Sequence, residues 1–362
     1  RGIAKRQHHT RPGKAIQTMP KNSLLYNRVV IKAGTRLLTS GNPSLNENVL
    51  RSITEQIARI RTLGSEVLLV SSGAVAAGRH SFGSEDSHDS VANRQTLAAI
   101  GQPKLMSTYS DLFGKLGIQV AQALDSHRDM VDRIGYLNVR NTLSALLAYE
   151  VVPILNENDV VAVDELSGEF AGDNDRLAAL IANVTEADLL LLLGDVKGLY
   201  TEDPNLNAAA KLIPVIKSID SHIEKIAKGT VNSEGTGGMA SKIAAAKLAT
   251  SAGTTVVIAD GNIQDVILKI ASGADVGSKF LSSVTKLESR KRWMLSNMTT
   301  AYYVTIDPGA LDALLKYGRS LLPAGITNVF GEFTRGDIIR IVTESGTHIA
   351  GGITNYNSAE LA

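Results

Sequence analysis

The chain alternates between two textures. Short runs of contiguous apolar residues, "NRVVIKAG", "EVLLVSSGA", "IQVAQAL", "VVPIL", "EADLLLLLGD" and "TTVVIAD", mostly end in small or polar residues. That is the pattern of strands buried on both faces and running into turns. Between them lie longer stretches with apolar residues at helical spacing. "LNENVLRSITEQIARIRTLG" closes on Gly64, the residue type expected at a helix end, and "VANRQTLAAIGQPKLMSTYSDLFGKLG" and "RIGYLNVRNTLSALLAYE" are similar. Strand and helix alternate over residues 25–275. The expected architecture is therefore α/β, an open and mainly parallel sheet with helices on both faces. Ligands of such sheets bind beyond the carboxyl ends of the strands. "KAGT", "SSGA", "NEND" and "GD" all fall there.

Near residue 275 the texture changes. "AYYVTID", "NVFGEF", "DIIRIVT" and "HIAGGITNY" read as short strands, interrupted by one helical piece, "PGALDALLKYG". They predict a small β-barrel-like domain over residues 285–362, after a hinge in "SGADVGSKFLSS" that closes a larger domain of residues 25–278. "RGD" at Arg335–Asp337 reads as a β-turn. Residues 1–24 carry Arg1, Lys5, Arg6, Arg11, Lys14 and Lys21 and no acidic residue. They read as a basic tail, disordered or added to the native chain, with "MPKNSLLYNRVVIKAG" from Met19 as a natural start.

Composition narrows the chemistry. Hydrophobic residues make up 44% of the 362, charged residues 20%, and the net charge is +1, so no overall field attracts nucleic acid or an anionic membrane. The longest apolar runs are strand-sized, short of the roughly 20 residues that a membrane span needs. Without Cys there is no disulfide, thiol nucleophile or thiolate metal site. His8 and His9 lie in the tail, and His80, His88, His127, His222 and His348 are scattered without metal spacing.

"SEGTGGMASK" looks built to receive phosphate, yet Ala240 stands where the common nucleotide loop needs Gly, and no hydroxyl follows Lys242. Lys32 ends the first strand. "SSGA" offers hydroxyls and backbone N–H groups at a helix start, an anion-binding arrangement. Taken singly, each such piece is more often a plain turn; their recurrence at successive strand ends is what points to a site. From Asn156 to Asp175 run four Asp, three Asn and three Glu, gathered into "NEND" and "GDND". Such clusters can bind an ammonium group, orient Lys side chains or hold Mg²⁺ through water.

"VVIKAGTRLLT", "VSSGAVAAGR", "NRQTLAAIGQ", "VPILNENDVVA", "GDNDRLAALIA", "GDVKGLYTEDP" and "GTGGMASKIAAA" together resemble the glutamate 5-kinases of the amino acid kinase fold family. "SRKRW", "SLLPAGI", "GEFTRGDIIRI" and "GGITNYNSAEL" resemble the PUA domain that follows the kinase in many of them. The resemblance implies ATP-dependent phosphorylation of the glutamate side-chain carboxylate in proline biosynthesis. Lys32, Lys242 and Asp175 would be catalytic, the Asp holding the two ammonium groups in place. Ser72, Asn156, Asp159 and Asn174 would bind glutamate. Lys32, Gly34, Gly194, Asp195, Tyr200, Asp203, Pro204, Thr236, Gly237, Gly238, Met239, Ala240, Ser241 and Lys242 would form the ATP side, with Mg²⁺ bound mainly through the phosphates. It also implies a cytoplasmic homo-oligomer, feedback by proline, and a glutamyl phosphate reductase as partner. Gly194 departs from the pattern, many relatives having Thr or Ser there, and the chain stops soon after "NYNSAELA", earlier than the full C-terminal domain of the family. The rival readings are an acetylglutamate kinase-like enzyme and an RNA-binding protein acting through the PUA-like part. Residues 285–362 hold 8 Lys/Arg against 7 Asp/Glu, a weak footprint for phosphate-dominated binding.

Overall fold

The computed structural model describes residues 24–82, 90–125, 133–161, 173–229, 238–282, 284–285 and 301–362. The expectations for residues 1–23 lie outside these. Eight strands build the larger sheet: β1 (Arg28–Ala33), β2 (Glu66–Ser71), β3 (Val120–Asp125), β4 (Val152–Glu157), β5 (Leu189–Gly194), β6 (Val215–Ile216), β7 (Thr255–Asp260) and β8 (Ser278–Phe280). Their order across the sheet is β3-β4-β2-β1-β5-β7-β8-β6. The pairings from β3 through β7 are all parallel, while β8 runs antiparallel to β7. β8 lies inside the stretch read as a hinge, so that stretch joins the sheet as far as Phe280.

Successive strand residues face opposite sides of a sheet, and both sides here are packed. In β1 and β5, Val29, Ile31, Leu189, Leu191 and Leu193 enter one core, while Val30, Leu190 and Leu192 enter the other. β2 divides the same way, with Val67 and Leu69 in the first core and Leu68 and Val70 in the second.

Helices cover each core. α2 (Glu47–Thr62), α4 (Val91–Gly114) and α9 (Val266–Ala271) close the first, through Ile53, Ile57, Leu105, Phe113 and Ile267. α5 (Arg133–Ala148), α6 (Asp173–Val184) and α8 (Met239–Ser251) close the second, through Leu143, Leu147, Leu177, Ile181 and Ile243. Three shorter helices, α1 (Thr35–Thr39), α3 (Ala74–Phe82) and α7 (Ser221–Gly229), complete this part among the described residues. α2 ends as its sequence predicts. Gly64 adopts φ +105 and donates its N–H to Arg61 O at 2.9 Å, a left-handed conformation that costs Gly little.

The C-terminal residues form a second sheet with its own core. β9 (Tyr303–Ile306), β10 (Ile326–Phe330), β11 (Ile338–Thr343) and β12 (His348–Ile353) are ordered β10-β9-β11-β12, accompanied by α10 (Pro308–Tyr317) and α11 (Ser358–Leu361). Val304, Ile306, Phe333, Ile339 and Ile341 pack together there. Arg335–Asp337 lies in a turn, with Gly336 at φ +97 and Asp337 N donating to Thr334 O at 3.1 Å.

Candidate active site

β1 is central, and its last residues reach the carboxyl edge of the sheet between β2 and β5, Ala33 lying in register with Ser71 and Leu193. Lys32 is only 5% exposed. Its Nζ pairs with Asp175 Oδ1 at 2.7 Å, and Lys242 Nζ pairs with Oδ2 of the same carboxylate at 3.1 Å. Ser241 Oγ adds a longer hydrogen bond to Oδ2 at 3.4 Å. Asp175 lies in the first turn of α6 and Lys242 in the first turn of α8, so three separate elements meet at one carboxylate. Burial alone would push the Asp175 carboxyl up. The two ammonium groups and their hydrogen bonds outweigh it and hold the group below the usual carboxylate range. One carboxylate thus holds two ammonium groups. A buried charge cluster of this kind is a poor device for stability and a frequent mark of function.

Polar side chains line the neighbouring strand ends. Asn174 Nδ2 donates to Ser72 Oγ at 3.1 Å, and Asn156 Nδ2 donates to Gln102 Oε1 at 2.9 Å. Ser72, Asn156 and Asn174, all expected at the glutamate side, are buried. The remaining amide oxygens, Asn156 Oδ1 and Asn174 Oδ1, have no hydrogen-bond partner among the described residues. Ser72 precedes Gly73, whose φ of +105 turns the chain into α3. The N–H groups that open a helix lack intrahelical partners, and here they follow directly on β2 and Ser72. Asp159 is half-buried in the turn that follows β4.

The residues expected on the ATP side fall into two groups. Gly34, Gly194, Asp195, Gly238, Met239, Ala240 and Ser241 lie close to the Lys pair in the chain or in space. Gly34 donates its N–H to Leu193 O at 3.2 Å, and a Cβ there would sit 3.4 Å from Lys32 Nζ, at the close end of ordinary contact. A Cβ on Gly194 would meet Lys242 Cε at 3.6 Å, an ordinary contact. Gly238 caps α8 without a side-chain hydrogen bond, and a helix start of this kind can receive an anion. The second group, Tyr200, Asp203 and Pro204, follows β5 in the chain. Tyr200 bridges to Leu212, and Asp203 accepts from Asn205 N at 2.9 Å, which shapes the local turn around Pro204. Thr236 and Gly237 lie outside the described residues. Arg36, given no role by the sequence, ion-pairs with Asp195 at 3.6 Å. Gln102, the last residue of "NRQTLAAIGQ", likewise has no role assigned by sequence, because a helical Gln does not reveal its distant partner.

A parallel sheet presenting a buried Lys–Asp–Lys cluster and helix N-termini at its carboxyl edge defines a class of protein. The chain belongs to the amino acid kinase family, whose sequence profile matches residues 27–260, and a PUA domain profile matches residues 302–362. Three relatives carry a more particular name. The glutamate 5-kinase of Dehalococcoides mccartyi is 48% identical over 341 residues, 94% of this chain and 91% of that one. Those of Herpetosiphon aurantiacus and Haemophilus influenzae are each 44% identical, over 93% and 92% of this chain and 90% of theirs. Among the described residues no helix is long and apolar enough to cross a membrane.

Proposed function

We infer that the chain transfers the γ-phosphoryl group of ATP to the side-chain carboxylate of L-glutamate, giving L-glutamyl 5-phosphate for proline biosynthesis. One observation carries the choice of acceptor: the two buried amide oxygens of Asn156 and Asn174 that lack donors. An α-ammonium supplies three N–H donors, whereas an acylated amine supplies one. That favours free glutamate over an acetylated one. Ser72 Oγ already accepts from Asn174, so its own hydrogen remains to donate to a substrate carboxylate, beside the N-terminus of α3.

The nucleophile needs no general base. A glutamate side chain has an ordinary pKa of about 4.3 and is ionised at pH 7. The obstacle is repulsion between that carboxylate and the polyphosphate. Lys32 and Lys242, fixed by Asp175, place positive charge where the transferring group passes, and preorganised charge of this kind lowers the barrier without reorganisation. A divalent ion, Mg²⁺ in this proposal, would be held mainly through the ATP phosphates and would neutralise part of their charge. Proline feedback at the glutamate site, a homo-oligomeric and cytoplasmic enzyme, and a glutamyl phosphate reductase that consumes the labile acyl phosphate belong to the same proposal. Measuring ADP release with glutamate, acetylglutamate, aspartate and uridylate tests it. Faster turnover of acetylglutamate or uridylate than of glutamate would overturn the assignment.

A further inference from the structure

Three residues of α4 form a polar stripe. Gln95, Gln102 and Tyr109 lie two turns apart from one another, so they share one face of the helix. Each reaches a different piece of the carboxyl edge. Gln95 Nε2 donates to Val160 O at 3.2 Å, Gln102 Oε1 accepts from Asn156 Nδ2 at 2.9 Å, and Tyr109 Oη lies 2.9 Å from Ser71 Oγ. Asn156 lies three residues before Asp159 and Val160 directly after it, while Ser71 precedes Ser72. One helix thus touches the supports of most residues placed at the glutamate side.

The Asn156 contact is the informative one. An amide has a donor end and an acceptor end, and a buried one must commit each to something. Asn156 commits Nδ2 to Gln102 and leaves Oδ1 bare, at 3% exposure for the residue. A buried carbonyl without a partner costs free energy in the unliganded protein, and a ligand that provides the donor recovers it. Were the Gln102 amide turned over, its Nε2 would face Asn156, which would then present a donor end useless to an ammonium.

We propose that Gln102 is a positioning residue for glutamate: by accepting from Asn156 Nδ2 it turns Asn156 Oδ1 into an acceptor for the substrate α-ammonium. This rests on the reading of the site as a glutamate kinase. Gln102 acts through Asn156 on binding, a contact made equally in ground and transition states, so it belongs in KM rather than kcat.

Steady-state ADP release by the purified full chain, varying glutamate and ATP, tests this with Q102M and Q102E. Met keeps the bulk and removes the acceptor. Q102M should raise the KM for glutamate about tenfold, the size of one charge-assisted hydrogen bond, with kcat and the KM for ATP within about twofold. Glu can only accept, so Q102E should keep a glutamate KM near that of the wild type. In an N156A background, Q102M should add little further loss. An unchanged glutamate KM in Q102M, or a Q102E as impaired as Q102M, overturns the proposal. Should Q102M fail to fold, Q102A takes its place, with the same expected and overturning results. Absent glutamate-dependent turnover in the wild type would overturn the functional reading as well, and so is distinguishable from failure of the positioning role.

Discussion

Asp175 is fully buried and holds two ammonium groups from two other elements. Removing its charge strands both. D175N should destabilise the fold by about 3–5 kcal/mol at pH 7, the usual cost of breaking a buried pair from one side, read as a lower urea midpoint. The pH dependence has a definite sign. The folded-state pKa is depressed, so the stabilisation is complete above the unfolded value of about 3.9 and is lost as pH falls through the lower folded one. The gap between wild type and D175N should therefore be flat around neutrality and close only in acid; a gap that closes between pH 6 and 8 would point to another titrating group. In the proposed mechanism Lys242 acts on the reaction more than on the fold. Lys242→Met should cut kcat by roughly 10²–10³, the cost of one preorganised donor, with little change in either KM. Lys32→Met should behave alike, and the double variant should lose less than the product of the singles, since both act on one phosphoryl group. Wild-type kcat in Lys242→Met would remove Lys242 from the transfer step.

At the scale of elements, α4 is held unusually close to α3. A Cβ on Gly101 would lie 1.8 Å from Ala74 O, and one on Gly78 would lie 1.9 Å from Leu97 O. The two helices cross with backbone against backbone, and Ala74 opens the helix whose first turn follows Ser72. Gly101→Ala should cost at least about 1–3 kcal/mol through overpacking, seen as a lower melting temperature. Because the shift reaches the start of α3, the folded fraction should also bind glutamate more weakly; a variant with unchanged melting and KM would show that the crossing yields freely. Burial also decides which elements the sequence made legible. The runs of β1, β2, β5 and β7 were readable because both faces are buried, which leaves little but apolar residues. β6 and β8 were not, being two and three residues long, too short to show any period. "GDND" announced chemistry by its crowding, but the partners of Asp175 came from the family resemblance. The role of Gln102 was hidden, because its hydrogen bond to Asn156 spans 54 residues and nothing local encodes it.

At the scale of the whole molecule, the described residues form two sheets with separate cores. The buried residues of the larger pair of clusters run from Tyr26 to Phe280, and those of the third from Val304 to Ile341. Among the described residues, no buried residue is shared between them. The side chains argued to bind or move phosphate, from Lys32 to Lys242, all lie within the larger sheet and its helices. Deleting residues from about 285 onward should therefore leave both large cores intact and glutamate-dependent ATP turnover measurable. β8 sets the boundary: a cut before Phe280 would strip the strand that pairs with both β7 and β6, and Phe280 is itself fully buried. Loss of its side chain alone would cost about 3–5 kcal/mol by the usual large-to-small scale. A truncation at 285 and one at 277 thus separate two causes of inactivity. The shorter chain should fail by unfolding, seen in its circular dichroism, while the longer one should stay folded and turn over glutamate. A chain ending at 285 that is folded yet inactive would show that the C-terminal sheet takes part in the reaction.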